Sequence, residues 1–121
     1  MVRLSDDEIA AEYCYLETTG RTTGQRRVVE LWFGSDGDSV YFLAGGRERT
    51  HWVRNIERTP AVRVRIAGRT YRGTGRNVEG APQEPSARRL LAAKYQGWAE
   101  GTAMSRWARE ALPVAVLLEG D

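Results

Sequence analysis

The 121-residue sequence is poor in the side chains that perform catalysis without a cofactor. It contains one cysteine, Cys14, and one histidine, His51. A single cysteine excludes an internal disulfide and any metal site built from several thiolates, so we expect no metal. A Ser-His-Asp triad could be built only around His51, and no nucleophile-elbow motif accompanies it. We expect Cys14 to pack as a small hydrophobic residue in a strand and His51 to be a polar flank at the start of a helix.

Long apolar segments are missing as well. No run is long enough for a transmembrane helix, and no signal peptide is recognisable. Apart from Asp6-Asp7-Glu8, which indicates the first turn of a helix, acidic residues are scattered, and no pair of carboxylates indicates general acid–base catalysis. The length fits one domain with one core. We therefore expect a single cytoplasmic domain over residues 1–121, whose chemistry would come from a bound cofactor.

Lysine is nearly absent, and arginine supplies all but one of the 18 basic residues. The net charge is only +2, but residues 21–76 contain 12 arginines against five acidic residues. Such a local positive field attracts phosphate esters, polycarboxylates or nucleic acid. Nucleic acid is the less favoured partner, because the arginines within 62–66 alternate with Val and Ile rather than with aromatic rings that stack on bases. We expect a small anionic ligand and no nucleic-acid partner.

The apolar pattern predicts a mainly antiparallel α+β fold. Asp36-Gly37 favours a type I′ hairpin turn, and the last strand is apolar enough to be covered on both faces. Two helices are predicted before that strand, which indicates an antiparallel barrel with inserted helices. The six predicted strands are 13–19, 27–34, 39–44, 62–66, 70–78 and 112–118, and the predicted helices are 6–12, 52–57, 86–95 and 105–111.

Residues 18–27, Thr-Thr-Gly-Arg-Thr-Thr-Gly-Gln-Arg-Arg, form the most informative segment. Glycine lets the backbone turn and approach a ligand closely, and arginine presents a planar set of donors that fits phosphate or carboxylate. The segment lacks the Gly-Lys-Ser/Thr ending of a P-loop and the third glycine of a dinucleotide fingerprint. An anion-binding hairpin and an ordinary polar turn with solvated arginines both remain open on this composition.

Further landmarks follow in a fixed order. They are Leu-Ala-Gly-Gly-Arg at 43–47, Trp-Val-Arg-Asn-Ile at 52–56, Pro60 before the strand at 62–66, and Ala-Lys-Tyr-Gln-Gly-Trp at 93–98 before Leu-Pro-Val-Ala-Val-Leu-Leu at 112–118. Together with 18–27, this order resembles the deazaflavin-dependent nitroreductase and quinone reductase family, which uses coenzyme F-420. The resemblance implies a six-stranded split β-barrel of the kind found in pyridoxamine-phosphate-oxidase-like flavoproteins.

The resemblance also implies an activity, the transfer of hydride from reduced F-420 to a quinone, a nitroaromatic or an activated alkene. It places Tyr95 and Trp98 on the substrate side as candidate catalytic residues, where Tyr95 would stack on the ring or donate a proton. It implies that the segment 18–27 holds the phosphate or acidic tail of the cofactor. It also implies that the backbone of the segment 44–47 lies along the cofactor. The implied cofactor-binding residues are Arg21, Thr22, Thr23, Gly24, Arg27, Ala44, Gly45, Gly46, Arg47 and Trp52.

Two other functions stay open on the same barrel. FMN also brings a phosphate to an arginine-rich turn, so an FMN-binding flavoprotein is one alternative. A non-enzymatic carrier of fatty acids or other small ligands is the second. The resemblance further allows a homodimer, and peripheral membrane contact if the electron acceptor is a quinone.

Overall fold

The computed structural model describes residues 2–119, which form one curled antiparallel sheet with four short helices and one 3₁₀ turn, Arg47–Arg49. The helices are α1 (Asp6–Ile9), α2 (His51–Arg58), α3 (Glu84–Gln96) and α4 (Arg106–Glu110). The strands are β1 (Cys14–Thr19), β2 (Arg26–Leu31), β3 (Gly34–Ser35), β4 (Ser39–Ala44), β5 (Ala61–Ile66), β6 (Arg69–Asn77) and β7 (Leu112–Glu119). None of these helices is long and apolar enough to cross a bilayer.

The sheet curls into a half-barrel in the order β2-β1-β5-β6-β7-β4-β3, with every neighbouring pair antiparallel. The consecutive strands β2 and β3 therefore lie at opposite edges of the sheet. Residues 32 and 33 carry the chain from one edge to the other. The predicted mixed α+β class and the insertion of helices before the last strand are confirmed.

The prediction of six strands is wrong, because the range 27–34 contains two strand segments and a crossover. The ladder with β1 ends at Leu31, and Gly34–Ser35 pairs instead with Tyr41 and Val40 of β4. Phe33 turns inward and is fully buried. A Cβ at Gly34 would lie 2.8 Å from Leu90 Cβ, so glycine at this position lets α3 pack directly on β3. The mainly apolar segment 28–33, interrupted only by Glu30, conceals this change of partner strand.

The predicted type I′ turn at Asp36-Gly37 is also wrong. Such a turn needs positive φ at both central residues, and Gly37 has one (116°) whereas Asp36 does not. The Asp36 carboxylate instead accepts hydrogen bonds from Ser39 N (3.2 Å) and from the Tyr41 hydroxyl (2.8 Å). The paired positive φ values occur at Ala67 (51°) and Gly68 (83°), which join β5 to β6.

Two apolar layers hold the fold together. Alternate residues of β4 such as Val40 and Phe42 point into the curl of the sheet, and Tyr41 and Leu43 point outward beneath α3. The residues of β7 alternate between the same two layers, with Val114 and Val116 in the curl of the sheet and Ala115 on the outer face. This confirms that β7 is covered on both faces over most of its length. Helix α2 packs against β1 and β6, with Ile56 against Gly75. This packing brings the first turn of α2 beside the β1–β2 turn.

Candidate functional site

A cleft of about 570 Å³ separates the β1–β2 turn from α2. Within residues 2–119, three arginines and no acidic residue line it, an arrangement that attracts anions. We call it the arginine cleft. Its lining residues are Thr18, Gly20, Arg21, Thr22, Thr23, Arg26, Arg27, Val28, Val29, His51, Trp52 and Asn55. Five of the ten residues predicted to bind a cofactor are therefore brought together here.

Gly20 and Gly24 allow the backbone of the β1–β2 turn to fold back tightly on itself. Gly20 N donates to Gln25 O (2.7 Å) and Gly24 N to Gly20 O (2.8 Å), and Gly24 has a φ of +74°. A Cβ at Gly20 would lie 3.1 Å from Gln25 O and 3.2 Å from Thr23 Oγ1. Gly24 itself does not line the cleft. Its contribution is the left-handed backbone that glycine adopts without strain.

Asn55 fixes Arg21 against α2. The Asn55 Oδ1 atom accepts from Arg21 N (3.1 Å) and from Arg21 Nη1 (2.9 Å), while Asn55 Nδ2 donates to Thr18 Oγ1 (3.1 Å). Asn55 is only 3% exposed, so its amide needs these partners. The amide therefore ties the turn to both α2 and β1.

His51 contacts the other edge of the same guanidinium group. Arg21 Nη2 lies 3.0 Å from His51 Nδ1, and Arg21 Nη1 lies 3.4 Å from His51 O. Arginine can only donate, so Nδ1 must accept and the imidazole proton must sit on Nε2. The sequence interpretation treated His51 as a helix flank. Its spacing from Asn55 is the signal that was missed, because residues four apart share one face of a helix.

Arg27 is the least constrained of the three arginines. It lies opposite Thr18 in the ladder and so shares the inner face of the sheet with Val29. Within residues 2–119 its guanidinium makes no hydrogen bond or ion pair with another side chain. Arg26 points to the opposite face, where its Nε lies 4.0 Å from Glu17, although it also borders the cleft. Arg27 thus offers a free cation to a ligand.

The second predicted segment, Ala44 to Arg47, lies outside the arginine cleft. Ala44 is buried at the end of β4, and Arg47 donates to the Glu79 carboxylate and to Glu110 O. A Cβ at Gly45 would lie 3.5 Å from the Trp107 ring, and a Cβ at Gly46 would lie 2.8 Å from Thr50 Oγ1. The segment therefore runs from the Trp107 ring to the start of α2, where the cleft begins.

Tyr95 also lies away from the arginine cleft. The Tyr95 hydroxyl lies 2.6 Å from Glu12 O and 3.0 Å from Phe33 O, and it accepts from Phe33 N (3.0 Å). Burial raises the pKa of Tyr95 to about 12. The hydroxyl therefore holds the crossover between the sheet edges to α3.

Trp98, the other predicted catalytic residue, follows the end of α3 and likewise does not border the cleft. Its Nε1 donates to Thr102 O (2.8 Å). The bond fastens the indole to the loop that leads toward α4.

An aromatic cluster surrounds the crossover. The Trp32 ring stacks on the Tyr95 ring, with centroids 4.4 Å apart and planes 3° apart, and meets the Trp107 ring edge-on at 5.7 Å. Trp32 is 46% exposed, an unusual fraction for so large an apolar side chain. The sequence interpretation gave Trp32 no role, because it appeared to belong to a continuous strand.

The only lysine and the only cysteine lie beneath this cluster. The Lys94 ammonium donates to Ile9 O (2.9 Å) and Phe33 O (3.1 Å), and burial lowers its pKa. Cys14 is fully buried, and burial raises the pKa of its thiol to about 12. The expectation that Cys14 packs as a core residue is confirmed. Within residues 2–119, no group of three or more His, Cys, Asp or Glu side chains is arranged to hold a metal ion.

The fold is thus a half-barrel with an arginine-lined cleft between the β1–β2 turn and α2. The family model for F420H2-dependent quinone reductase matches residues 7–119. The chain belongs to this family, and it is therefore placed among the oxidoreductases that use F-420.

Solved structures share the fold. An F420 reductase matches with a TM-score of 0.68 and 22% identity, covering 95% of this chain and 93% of that one. An F420-H2 dependent reductase, FDR-A, matches with a TM-score of 0.65 and 23% identity over 89% of this chain and 94% of that one. A conserved hypothetical protein from Mycobacterium tuberculosis matches with a TM-score of 0.76 and 16% identity, covering 98% of this chain and 82% of that one. The resemblance stated from the sequence is confirmed.

Proposed function

We propose that this protein transfers hydride from reduced F-420 to a small quinone, nitroaromatic or activated alkene, and that the arginine cleft holds the negatively charged tail of the cofactor. The observation that carries the proposal is the convergence of Arg21 and Arg27, with Arg26 at the border, in a cleft that no acidic residue among residues 2–119 lines. Guanidinium groups bind phosphate and carboxylate oxygens through charge-assisted, often bidentate, hydrogen bonds.

The partners of the cleft arginines support this assignment. Arg47 and Arg88 are neutralised by Glu79 and Glu84 and so serve the fold. Among residues 2–119 the Arg21 guanidinium bonds only the neutral acceptors of Asn55 and His51, and no carboxylate there compensates its positive charge. A cation that is positioned but not neutralised is suited to an anionic ligand. The residues present therefore fit the tail of F-420.

The remaining predicted cofactor residues take supporting roles in this proposal. The Thr22 and Thr23 hydroxyls border the cleft and supply further donors, and Gly24 permits their turn. Trp52 forms an apolar wall, held edge-on against Phe42 at 5.8 Å. The backbone from 44 to 47 extends from the cleft toward Trp107, so we propose that the cofactor lies along it.

The cofactor, when bound, supplies the hydride. We propose that the protein's part is to bind and orient it. We propose that the exposed face of Trp32 stacks with a flat acceptor, since aromatic rings favour stacked or edge-on contacts with one another. In this arrangement the Tyr95 ring stacks on the other face of Trp32. Trp98 fixes the loop that follows α3 through its hydrogen bond to Thr102 O.

The direct test is to mix reduced F-420 with the protein and a panel of quinones, nitroaromatics and activated alkenes, and to follow oxidation of the cofactor. Turnover with at least one acceptor supports the proposal. FMN is the competing ligand, because its phosphate would fit the same arginines, so both cofactors should be titrated against tryptophan fluorescence. Tight binding of FMN with none of F-420 would favour the flavoprotein alternative. A homodimer and contact with a membrane surface stay predictions, to be tested by sedimentation and by vesicle binding.

A further inference from the structure

Of the described residues that line the arginine cleft, His51 alone is of a type that can change its charge near neutral pH. It is exposed, and its Nδ1 accepts a hydrogen bond from Arg21 Nη2 at 3.0 Å. This bond requires the neutral imidazole, because a protonated ring carries hydrogen on both nitrogens and cannot accept. Histidine side chains commonly titrate between pH 5 and pH 8. Protonation of His51 would therefore break its side-chain bond to Arg21.

The charged groups that share this cleft with His51 are all cationic. They are Arg21 from the turn and Arg27 from β2, with Arg26 at the border, where it pairs with Glu17 at 4.0 Å. Among residues 2–119 no acidic residue lines the cleft, and Glu48 of the 3₁₀ turn beside α2 pairs with Arg47 at 3.3 Å. An anion seated between His51 and Arg21 could accept hydrogen bonds from both when the imidazole is protonated, because imidazolium and guanidinium are both donors.

Arg21 would keep its place when His51 releases it. Asn55 Oδ1 holds both Arg21 N and Arg21 Nη1, and neither bond involves the imidazole. Loss of the bond to Nδ1 would free only the Nη2 edge of the guanidinium group. That edge and the protonated His51 ring would then be available to one ligand, in the same cleft as Arg27.

We propose that His51 is an anion ligand of the arginine cleft and that it takes up a proton when the anion binds. The site consequently binds its anion more tightly at pH 5.5 than at pH 8. The inference rests on the proposed function in that the cleft is taken to hold the anionic tail of the cofactor. By linkage, the anion and the proton strengthen each other's binding by the same factor.

The single histidine makes the test unambiguous. Its imidazole Cε1–H is one NMR resonance, so proton uptake can be followed at this residue alone. Sulfate is a suitable probe, because it stays a dianion across this pH range. We expect sulfate affinity to rise at least about fivefold from pH 8 to pH 5.5, within the usual range of coupling between two sites. At a fixed pH between these values, adding sulfate should move the Cε1–H resonance toward its position in the protonated ring.

Two variants separate His51 from the rest of the cleft. In His51→Asn the amide can still accept from Arg21 but does not titrate, so sulfate should bind with little dependence on pH. Arg27→Ala should weaken sulfate binding at both pH values and leave the pH dependence in place. The proposal is overturned if wild-type sulfate affinity does not change with pH, or if the pH dependence survives in His51→Asn.

Binding of F-420 at pH 8 distinguishes this inference from the proposed function. If F-420 binds and Arg27→Ala weakens it, but sulfate binding does not depend on pH, the role of His51 is wrong and the cofactor site stands. If sulfate binding is linked to protonation of His51 but F-420 does not bind, the cleft is a proton-linked anion site for another ligand. The latter result supports the role of His51 and contradicts the assignment of the cofactor.

Discussion

Asn55 of α2 holds Arg21 of the β1–β2 turn at two atoms, the main-chain nitrogen (3.1 Å) and Nη1 (2.9 Å), through a single amide oxygen. The amide nitrogen bonds Thr18 Oγ1, so one buried side chain connects the helix, the strand and the turn. A flexible arginine is thereby placed at the cleft without being neutralised. This separation of position from charge is what a binding site for an anion requires.

Asn55→Ala should therefore affect both stability and binding. The substitution leaves Thr18 and the Arg21 main chain without partners in a buried setting, and we expect unfolding to become easier by about 1–3 kcal/mol. F-420 affinity should fall as Arg21 loses its position. Urea denaturation and cofactor titration measure the two effects. Asn77→Ala, at an exposed position on β6, is the control and should change neither quantity by a comparable amount. Wild-type stability and affinity in Asn55→Ala would show that Arg21 does not depend on this amide.

Tyr95→Phe tests whether the phenol is a proton donor or a structural link. The hydroxyl bonds the main chain of Phe33 and Glu12, so its removal should lower the free energy of unfolding by about 0.5–1.5 kcal/mol. Because this hydroxyl is already engaged, we expect hydride transfer in a stopped-flow experiment to stay within about twofold of wild type. A general acid would contribute about 10²–10⁴-fold. A tenfold or greater loss of rate at unchanged cofactor affinity would restore the proton-donor role.

Trp32→Ala should raise the KM for a flat acceptor while F-420 affinity stays near the wild-type value. An aromatic contact beyond simple burial contributes about 0.5–1.5 kcal/mol, which corresponds to about 2–12-fold. Steady-state kinetics with menadione and with a nitroaromatic measure the change. Trp98→Ala serves as the comparison, because its indole bonds Thr102 O instead of stacking on Tyr95. An unchanged KM in Trp32→Ala would place the acceptor elsewhere.

Glu8 should make the fold sensitive to acid. Burial alone would raise its pKa, but hydrogen bonds from Ser5 and Tyr71, with the charge of Arg69, hold the pKa below the ordinary value of 4.5. A depressed folded-state pKa means that the ionised form stabilises the fold. That stabilisation is complete at a pH above the pKa of Glu8 in the unfolded chain. It is lost as the pH falls through the pKa of Glu8 in the folded protein.

We therefore expect the wild-type protein to lose stability below about pH 4.5 more steeply than Glu8→Gln, as denaturation curves at several pH values would reveal. Asp7→Asn, at an exposed position of the same helix, should retain the wild-type slope. Equal slopes in the wild type and Glu8→Gln would contradict this assignment.

Local pattern was enough to predict much of the fold. Both boundaries of the strand 39–44 were predicted correctly. The alternation in 62–66 correctly predicted that Val62, Val64 and Ile66 are buried and that the arginines between them are exposed. The crossover at Trp32 and Phe33 was not predictable, because the partner of β3 is decided by packing across the sheet. Local periodicity carries no information about which edge a segment joins.

The part of the candidate site that lies close together in the sequence was predicted, and the part that depends on packing was not. Arg21 and Arg27 stood out because glycine and arginine lie together within ten residues. Asn55 and His51 contact Arg21 from 34 and 30 positions away. Tyr95 reaches Phe33 across 62 positions and Glu12 across 83. These contacts follow from the way α2 and α3 pack on the sheet, which the sequence around each residue does not contain.

The central claim is that the arginine cleft binds the anionic tail of F-420, and the most direct measurement is the F-420 affinity of Arg27→Ala. The Arg27 guanidinium group has no side-chain partner in the part of the chain that the structure describes. Its loss should therefore leave the fold intact and weaken binding by about 1.5–3 kcal/mol, or roughly 10–150-fold. Arg76→Ala removes an exposed arginine of β6 outside the cleft and controls for the general positive field. The account predicts a large loss in Arg27→Ala and little change in Arg76→Ala. Equal affinities in the two folded variants would contradict it.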